Sequence, residues 1–354
     1  MTSQDLPPAP VTFTLSLFHF VWVLIVISMV ACSMAEGKKK SLPTIDKHFS
    51  AKEILLQLPS LDLSRPPQAE SKSIQAYNQF YGLEFPDVTH FMGYFESEDR
   101  KIWSQVFLPA NPAGTLFLLH GYFDHAGILK HLIEYSLEQR FAIAVFDLPG
   151  HGLSSGDRGA IGSFSEYVSV LKTFIDKYSE DLPPPFHLIA HSTGGSIAYE
   201  YLNQTKCIAF DKIVLLAPLV HNAHWFLSTV GYHLAKPITD TIKRTYRRNS
   251  SDEQFLEFSR KDPLQNNYLS IRFLDALHTW NKEIGKYDTI SKSLLVIQGT
   301  DDIIVDWEYN LTFLKSKIIG LEIELVDKAN HHLINESKEL RQQVLHRIFD
   351  HIDD

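Results

Sequence analysis

Short, continuously apolar runs recur along this chain: GTLFLLHGY (114–122), FAIAVFDLPG (141–150), FHLIAHS (186–192), KIVLLAPLV (212–220), SLLVIQG (293–299) and LEIELVD (321–327). Runs without an apolar/polar alternation mark strands buried on both faces. Helix-length stretches such as 126–139 and 163–179 lie between most of them. Strand–helix alternation of this kind predicts an open, mostly parallel α/β sheet with helices on both faces. Ligands of such sheets bind beyond the carboxyl ends of the strands. Earlier in the chain, HFMGYFES and KIWSQVFLPA mix aromatic and β-branched residues around the polar break Glu98-Asp99-Arg100, which predicts a hairpin. About 70 residues separate APLV from SLLVIQG, far more than one crossover helix requires. That insertion, at about 221–288, is expected to form a helical lid.

The N-terminus breaks the pattern. No charged residue occurs from Leu6 to Ala35, and Val11–Cys32 is almost wholly apolar, long enough to cross a bilayer as a helix. A buried core helix would show a polar face. A secretory signal would carry a positive start and a shorter apolar stretch, whereas MTSQDLPPAP holds no Lys or Arg. Residues 1–40 are therefore expected to be a membrane anchor, with Lys38-Lys39-Lys40 favouring the cytoplasmic side for the rest of the chain. Met29–Ser33 resembles the lipobox of bacterial lipoproteins, so lipidation at Cys32 is the alternative. Residues 41–74, containing Pro66-Pro67 and room for one short helix, read as a linker, which leaves 75–354 for the α/β domain.

Composition narrows the function. A hydrophobic share of 44% with 21% charged residues is that of a globular protein, and a net charge of −9 gives no electrostatic footprint for nucleic acid. Two cysteines, Cys32 and Cys207, exclude a disulfide framework or a cysteine-rich zinc site. Asp124-His125 and His331-His332 are too few and too scattered to imply a closed ligand set, so no metal is expected. No phosphate loop or dinucleotide fingerprint occurs, so no cofactor is expected either. Nothing points to a protein partner.

The chemistry gathers around Ala190-His191-Ser192-Thr193-Gly194, where an apolar strand turns into a helix. Such an elbow exposes a serine hydroxyl and leaves helix N-terminal amides beside it, where developing negative charge is favoured. Small residues must flank the serine, hence the pattern G-x-S-x-G, here with alanine at its first position. An acid and a histidine should follow, each after its own strand. Thr300-Asp301-Asp302-Ile303-Ile304-Val305-Asp306 follows SLLVIQG, and Lys328-Ala329-Asn330-His331-His332 follows LEIELVD. A carboxylate would fix the imidazole tautomer, and the imidazole would take the serine proton. His120-Gly121-Tyr122 follows the LFLL strand, so the backbone N–H groups of Tyr122 and Thr193 are the expected oxyanion hole.

HGYFDHAG, FDLPGHGLSSGDRG, AHSTGG, QGTDDIIVD and ANHHL, in this order, resemble the α/β-hydrolase superfamily. More narrowly they resemble its monoacylglycerol lipase and lysophospholipase branch, grouped with serine aminopeptidase-like hydrolases. The resemblance runs from about residue 75 to the C-terminus. It implies Ser192 as nucleophile and Asp302, three residues after Gly299, as acid, with Asp301 and Asp306 as alternatives. It implies His331 as base, with His332 the fallback, and a structural role for the GHG of LPGHGLS and for Arg158.

The expected activity is therefore serine ester hydrolysis through an acyl-enzyme, on a monoacylglycerol or lysophospholipid. The anchor places the site beside a bilayer, and the lid carries His224-Trp225-Phe226 and Trp280, which either meet an acyl chain or pack on the sheet. Lys243-Arg244 and Arg247-Arg248 either meet phosphate head groups or form a solvated helix face. Dehalogenases and epoxide hydrolases place aspartate at the elbow, and nothing identifies a peptidase's amino-end site. A thioesterase or acyltransferase would use the same triad. A membrane-tethered binding protein without activity would be expected to lack a triad member.

Overall fold

The computed structural model describes residues 49–57, 59–67, 71–205 and 209–353. The predicted apolar span, Lys38–Lys40, Cys32 and Cys207 lie outside the described residues. Among the described residues no helix is long and apolar enough to cross a membrane.

Among the described residues the first elements are α1 (Ala51–Gln57) and α2 (Lys72–Tyr81), then the hairpin β1 (Val88–Ser97) and β2 (Arg100–Pro109). There follow β3 (Gly114–Leu119), α3 (Lys130–Glu138), β4 (Phe141–Phe146), α4 (Phe164–Tyr178), β5 (Phe186–His191), α5 (Thr193–Gln204) and β6 (Ile213–Leu216). The insertion holds α6 (Trp225–Ala235), β7 (Thr241–Lys243), α7 (Glu253–Lys261), β8 (Tyr268–Ser270) and α8 (Ile271–Ile284). The chain closes with β9 (Ile290–Gly299), α9 (Trp307–Lys317), β10 (Ile318–Val326) and α10 (Lys338–Asp353). Eight strands form one sheet in the order β1-β2-β4-β3-β5-β6-β9-β10, while β7 and β8 pair by themselves. Antiparallel pairing joins β1 to β2 and β2 to β4, and every later pair in the large sheet is parallel.

Burial follows the sequence pattern where strands are central. Every residue of GTLFLL, FAIAVF and IVLL is buried. LEIELV departs from it: β10 ends the sheet, so Glu322 and Leu325 face solvent and only the strand's ends are buried. On one face Phe95, Phe117 and Phe146 surround Phe174 of α4, with ring centroids 5.1–6.0 Å apart. On the other, Trp103, Phe107, Ile143, Val145 and Leu118 share a cluster with residues of α3 and α10.

Phe49, Ile54, Tyr77 and Tyr81 belong to that same cluster. The stretch read as linker therefore docks on the domain from Phe49 onward, and the boundary expected at residue 75 falls inside α2. Ser71 caps α2 by accepting from the Ile74 amide at 3.4 Å, and Tyr77 accepts from Gln105 Nε2 at 3.1 Å. Burial of each of these apolar side chains contributes about 1.5–3 kcal/mol. Propensity alone could not reveal this docking, because it depends on the groove beside Trp103.

Candidate active site

Ser192 lies between the last residue of β5 and the first of α5, with φ +52° and ψ −112°. A non-glycine residue in this region costs about 1–3 kcal/mol, so the surroundings must impose it. They do so through its backbone: the Ser192 amide donates to Leu216 O at 2.9 Å, and its carbonyl accepts from Gly195 and Leu219 at 2.9 and 3.0 Å. Gly194 is required by proximity, since a Cβ there would lie 2.6 Å from Leu119 O. Ala190, the departure from the elbow pattern, is fully buried in β5.

Beyond β9 and β10 the acid and base converge on this serine. His331 Nε2 lies 3.0 Å from Ser192 Oγ, and His331 Nδ1 lies 2.8 Å from Asp302 Oδ2. Asp302 Oδ2 also accepts from Gln298 Nε2 at 3.0 Å, and Oδ1 accepts from the amides of Ile304 and Val305 at 2.8 and 3.2 Å. Burial pushes this carboxyl up, but the adjacent His331 and these hydrogen bonds outweigh it and hold it below its ordinary value. Asp301 is exposed, and Asp306 is occupied at the start of α9, where its side chain accepts from Tyr309 N at 3.4 Å. His332 has another neighbour: its Nε2 lies 3.5 Å from Asp124 Oδ1. Of the alternatives left by the sequence, geometry joins Asp302 and His331 to Ser192.

The loop after β3 comes close to the serine, since a Cβ on Gly121 would lie 3.3 Å from Ser192 Cβ. Thr193 opens α5, so its N–H is among the amides without an intrahelical acceptor. Tyr122 sits just beyond β3, held by its side chain: the hydroxyl donates to Gly159 O at 2.8 Å and accepts from Ser270 N at 2.9 Å. His120 fixes the same loop, donating from Nδ1 to Gly121 O at 2.8 Å and accepting from Leu148 N at 2.9 Å. Burial pushes its imidazole down to about 3, consistent with a neutral ring whose Nε2 is an acceptor.

Several supports escaped sequence reasoning. Glu336 is fully buried and accepts from the Asn330 amide, beside the base, and from both the amide and hydroxyl of Ser251 in the insertion. Gly299 brings β9 so close to the base loop that a Cβ would meet Ala329 O at 2.3 Å. Asp147 accepts from Ala126 N at 2.7 Å and Leu153 N at 2.8 Å, tying the loops after β3 and β4 together. His125 and Asp262 form a fully buried pair at 2.9 Å. Gly299 apart, these are single polar residues with no local signal, and only the folded chain shows their partners. Arg158 is structural, as its family position implied, donating to Gly152 O at 2.8 Å and Leu264 O at 2.7 Å.

In the insertion one open alternative is resolved and one expectation needs correction. Trp280 packs rather than facing a ligand: it is buried, stacks on Phe164 at 4.6 Å and donates to Glu200 Oε2 at 2.8 Å. The basic cluster is neither a helix face nor a single patch. Its residues fall in β7 and an irregular segment. There Arg244 is held between Phe123 and Tyr246 at 4.1 and 4.4 Å, and Arg248 pairs with Glu253 at 2.7 Å. Trp225 lies between His221 and His278, at 4.1 and 4.5 Å, while Phe226 is 77% exposed.

The strand order, the strained elbow serine and the converging acid and base define an α/β-hydrolase. Two solved structures share the fold. The monoacylglycerol lipase of Paleococcus ferrophilus matches with a TM-score of 0.60 at 21% identity, covering 71% of this chain and 99% of that one. A soluble variant of the Saccharomyces cerevisiae monoglyceride lipase, bound to a substrate analog, matches with a TM-score of 0.64 at 18% identity, covering 73% and 92%. Residues 110–338 match the family described as serine aminopeptidase, S33, and the chain belongs to this family of serine hydrolases. Among curated relatives, the phospholipase YtpA of Bacillus subtilis is 28% identical over 203 residues, covering 55% of this chain and 78% of its own. The human monoglyceride lipase is 22% identical over 281 residues, covering 75% and 90%.

Proposed function

We propose that this chain hydrolyses the acyl ester of a monoacylglycerol or lysophospholipid at a membrane surface, through an acyl-enzyme on Ser192. The observation that carries the reading is the continuous chain Ser192 Oγ–His331–Asp302, at 3.0 and 2.8 Å. Its direction supports the following roles. His331 Nε2 accepts the Ser192 proton as Oγ attacks the ester carbonyl, and the resulting imidazolium is stabilised by the Asp302 carboxylate. The oxyanion is held by the Tyr122 and Thr193 amides. His331 then protonates the departing glycerol oxygen, and a water activated by the same imidazole releases the fatty acid.

A lipid substrate is supported by the relatives named as lipases and a phospholipase, and by the insertion. On α6, Phe226, Val230 and Leu234 follow at four-residue intervals, with Ile238 one turn beyond, and are 77%, 40%, 50% and 49% exposed. Spacing of four places them on one helix face. An apolar stripe of this kind suits a bilayer surface, as does an anchor within residues 1–40. Lys38–Lys40 favour the cytoplasmic leaflet, with lipidation at Cys32 the other possible attachment.

Covalent labelling tests the reading. The full chain in detergent micelles is treated with a fluorophosphonate and its intact mass compared with that of Ser192→Ala. One adduct on the native protein, mapped to Ser192 and missing from the variant, is expected. Competition by monoacylglycerol against lysophospholipid then ranks the substrates. A folded native protein that stays unlabelled in micelles would remove the hydrolase reading. Loss of membrane pelleting on deletion of residues 1–40 tests the anchor.

A further inference from the structure

Asp124-His125 and His331-His332 are far apart in sequence, but the fold separates one pair and joins members of both. His125 turns to Asp262, whereas Asp124 meets His332 and also His191, the residue before the nucleophile. We propose that Asp124, His191 and His332 form a binding site for a divalent transition-metal ion of the zinc type, beside the Ser192–His331 pair.

The separations suit an ion better than hydrogen bonds. Asp124 Oδ2 lies 3.5 Å from His191 Nδ1, Asp124 Oδ1 lies 3.5 Å from His332 Nε2, and the three ligand atoms lie within 4.8 Å of one another. An N–H···O bond is shorter than this, at about 2.7–3.2 Å. Ligands held tetrahedrally at about 2.0–2.1 Å from zinc stand about 3.4 Å apart. All three residues are buried, and Asp124 Oδ1 has no hydrogen-bond partner. A buried carboxylate oxygen left without a partner is costly, and coordination would satisfy it.

Tautomers sharpen the case. His191 Nε2 lies 3.1 Å from the His331 carbonyl, so in the neutral ring it carries the proton and donates there. Its Nδ1 lone pair then faces the Asp124 carboxylate, two acceptors turned toward each other, which a cation between them would reconcile. A ligating histidine that donates its other N–H to a backbone carbonyl has the usual outer support of a metal site. Gly121 contributes by having no side chain, since a Cβ would lie 2.8 Å from Asp124 Oδ2 and 3.1 Å from His191 Nδ1. Two imidazoles and one carboxylate favour zinc, cobalt or copper over magnesium or calcium, and leave a fourth position for water. The positive neighbour is Arg244, held between Phe123 and Tyr246, which weakens binding without removing a ligand.

The site adjoins the triad: the His191 ring centroid lies 4.9 Å from that of His331 and 4.8 Å from that of His332.

The test uses the full chain in detergent with Zn2+ and Co2+. Anomalous diffraction at the zinc edge from crystals of the native protein should place an ion within bonding distance of all three side chains. Co2+ should give a tetrahedral visible spectrum. Asp124→Asn and His332→Gln should each weaken this binding at least about 100-fold, beyond the 10–100-fold typical of losing an outer partner. Arg244→Met should tighten it, and a chelator should reverse it. No ion among the three side chains at saturating Zn2+ overturns the site, whether or not the variants fold. Co2+ spectra unchanged in both folded variants do so as well.

Discussion

Replacing Asp302 by asparagine separates the three nearby carboxylates most sharply. The new amide can keep its oxygen toward Ile304 and Val305, which donate to Oδ1 at 2.8 and 3.2 Å. Its NH2 must then face His331 Nδ1 and Gln298 Nε2, which lie 2.8 and 3.0 Å from Oδ2. Donation to Nδ1 forces the ring proton onto Nε2, the atom 3.0 Å from Ser192 Oγ, so the base can no longer accept. A wrong tautomer with intact geometry lowers kcat about 10⁴-fold in the trypsin-like triad, equivalent to about 5.5 kcal/mol of barrier. The two NH2 groups left facing one another cost a further ~1–3 kcal/mol of stability. The assay is initial rate on a monoacylglycerol at several concentrations, with circular dichroism and thermal unfolding on the same sample. KM should change little, because the lost interaction belongs to the transition state. Asp301→Asn should stay within about twofold of the native rate. Asp306→Asn, at a helix cap, should cost at most about 2 kcal/mol of stability. A folded Asp302→Asn enzyme within tenfold of native kcat would refute the assignment, and a collapse in either neighbour would relocate the acid.

Gly299→Val should lower kcat at least about 100-fold and lower Tm, because its side chain must displace the Ala329 backbone beside the base, with a Cβ contact of 2.3 Å. Paired kinetics and thermal unfolding would check this. Tyr122→Phe keeps the oxyanion amide but strands Gly159 O and Ser270 N, so about 1–3 kcal/mol of stability should be lost, with kcat falling more than KM rises; urea unfolding and kinetics read both. Acid should destabilise the fold through His90, His120 and His151, which burial pushes down to about 3, 3 and 4. Each is neutral when folded but protonates in the unfolded chain near 6.5, so stability falls as pH drops from about 6.5 toward 4, by up to about 1.4 kcal/mol per pH unit per histidine. Urea midpoints across that range test the sign. Phe226→Glu with Leu234→Glu should weaken binding to phospholipid vesicles at least tenfold while leaving hydrolysis of a short soluble ester within about twofold.

What the sequence revealed has a physical pattern. Central strands were legible because burial on both faces leaves no charged residue in GTLFLL or IVLL. β10 was legible as a strand but not as an edge, since its glutamates need only one open face. Ser192 announced itself through local geometry, a strand turning at once into a helix. The choice among Asp301, Asp302 and Asp306 rested on family position, because the difference between them is which carboxylate turns inward. Glu336, Gln298 and Asp147 were not legible at all, being single polar residues defined by partners elsewhere. Trp280 was ambiguous for the opposite reason: an aromatic residue suits packing and ligand contact equally until Phe164 and Glu200 are seen beside it. The gathering of Asp124, His191 and His332 is the strongest case, since no local spacing encodes it.

The Tyr122 hydroxyl joins two parts of the molecule that the chain keeps far apart, bonding Ser270 of the insertion while its own amide is the expected oxyanion donor. A displacement of the insertion that withdraws Ser270 therefore loosens the residue whose N–H would stabilise the oxyanion. Thermodynamic linkage makes this reciprocal for binding: whatever grips that amide must favour the insertion's seated position by the same free energy. An anionic transition-state mimic bound at Ser192 would then slow hydrogen exchange around Ser270, and Tyr122→Phe would uncouple the two.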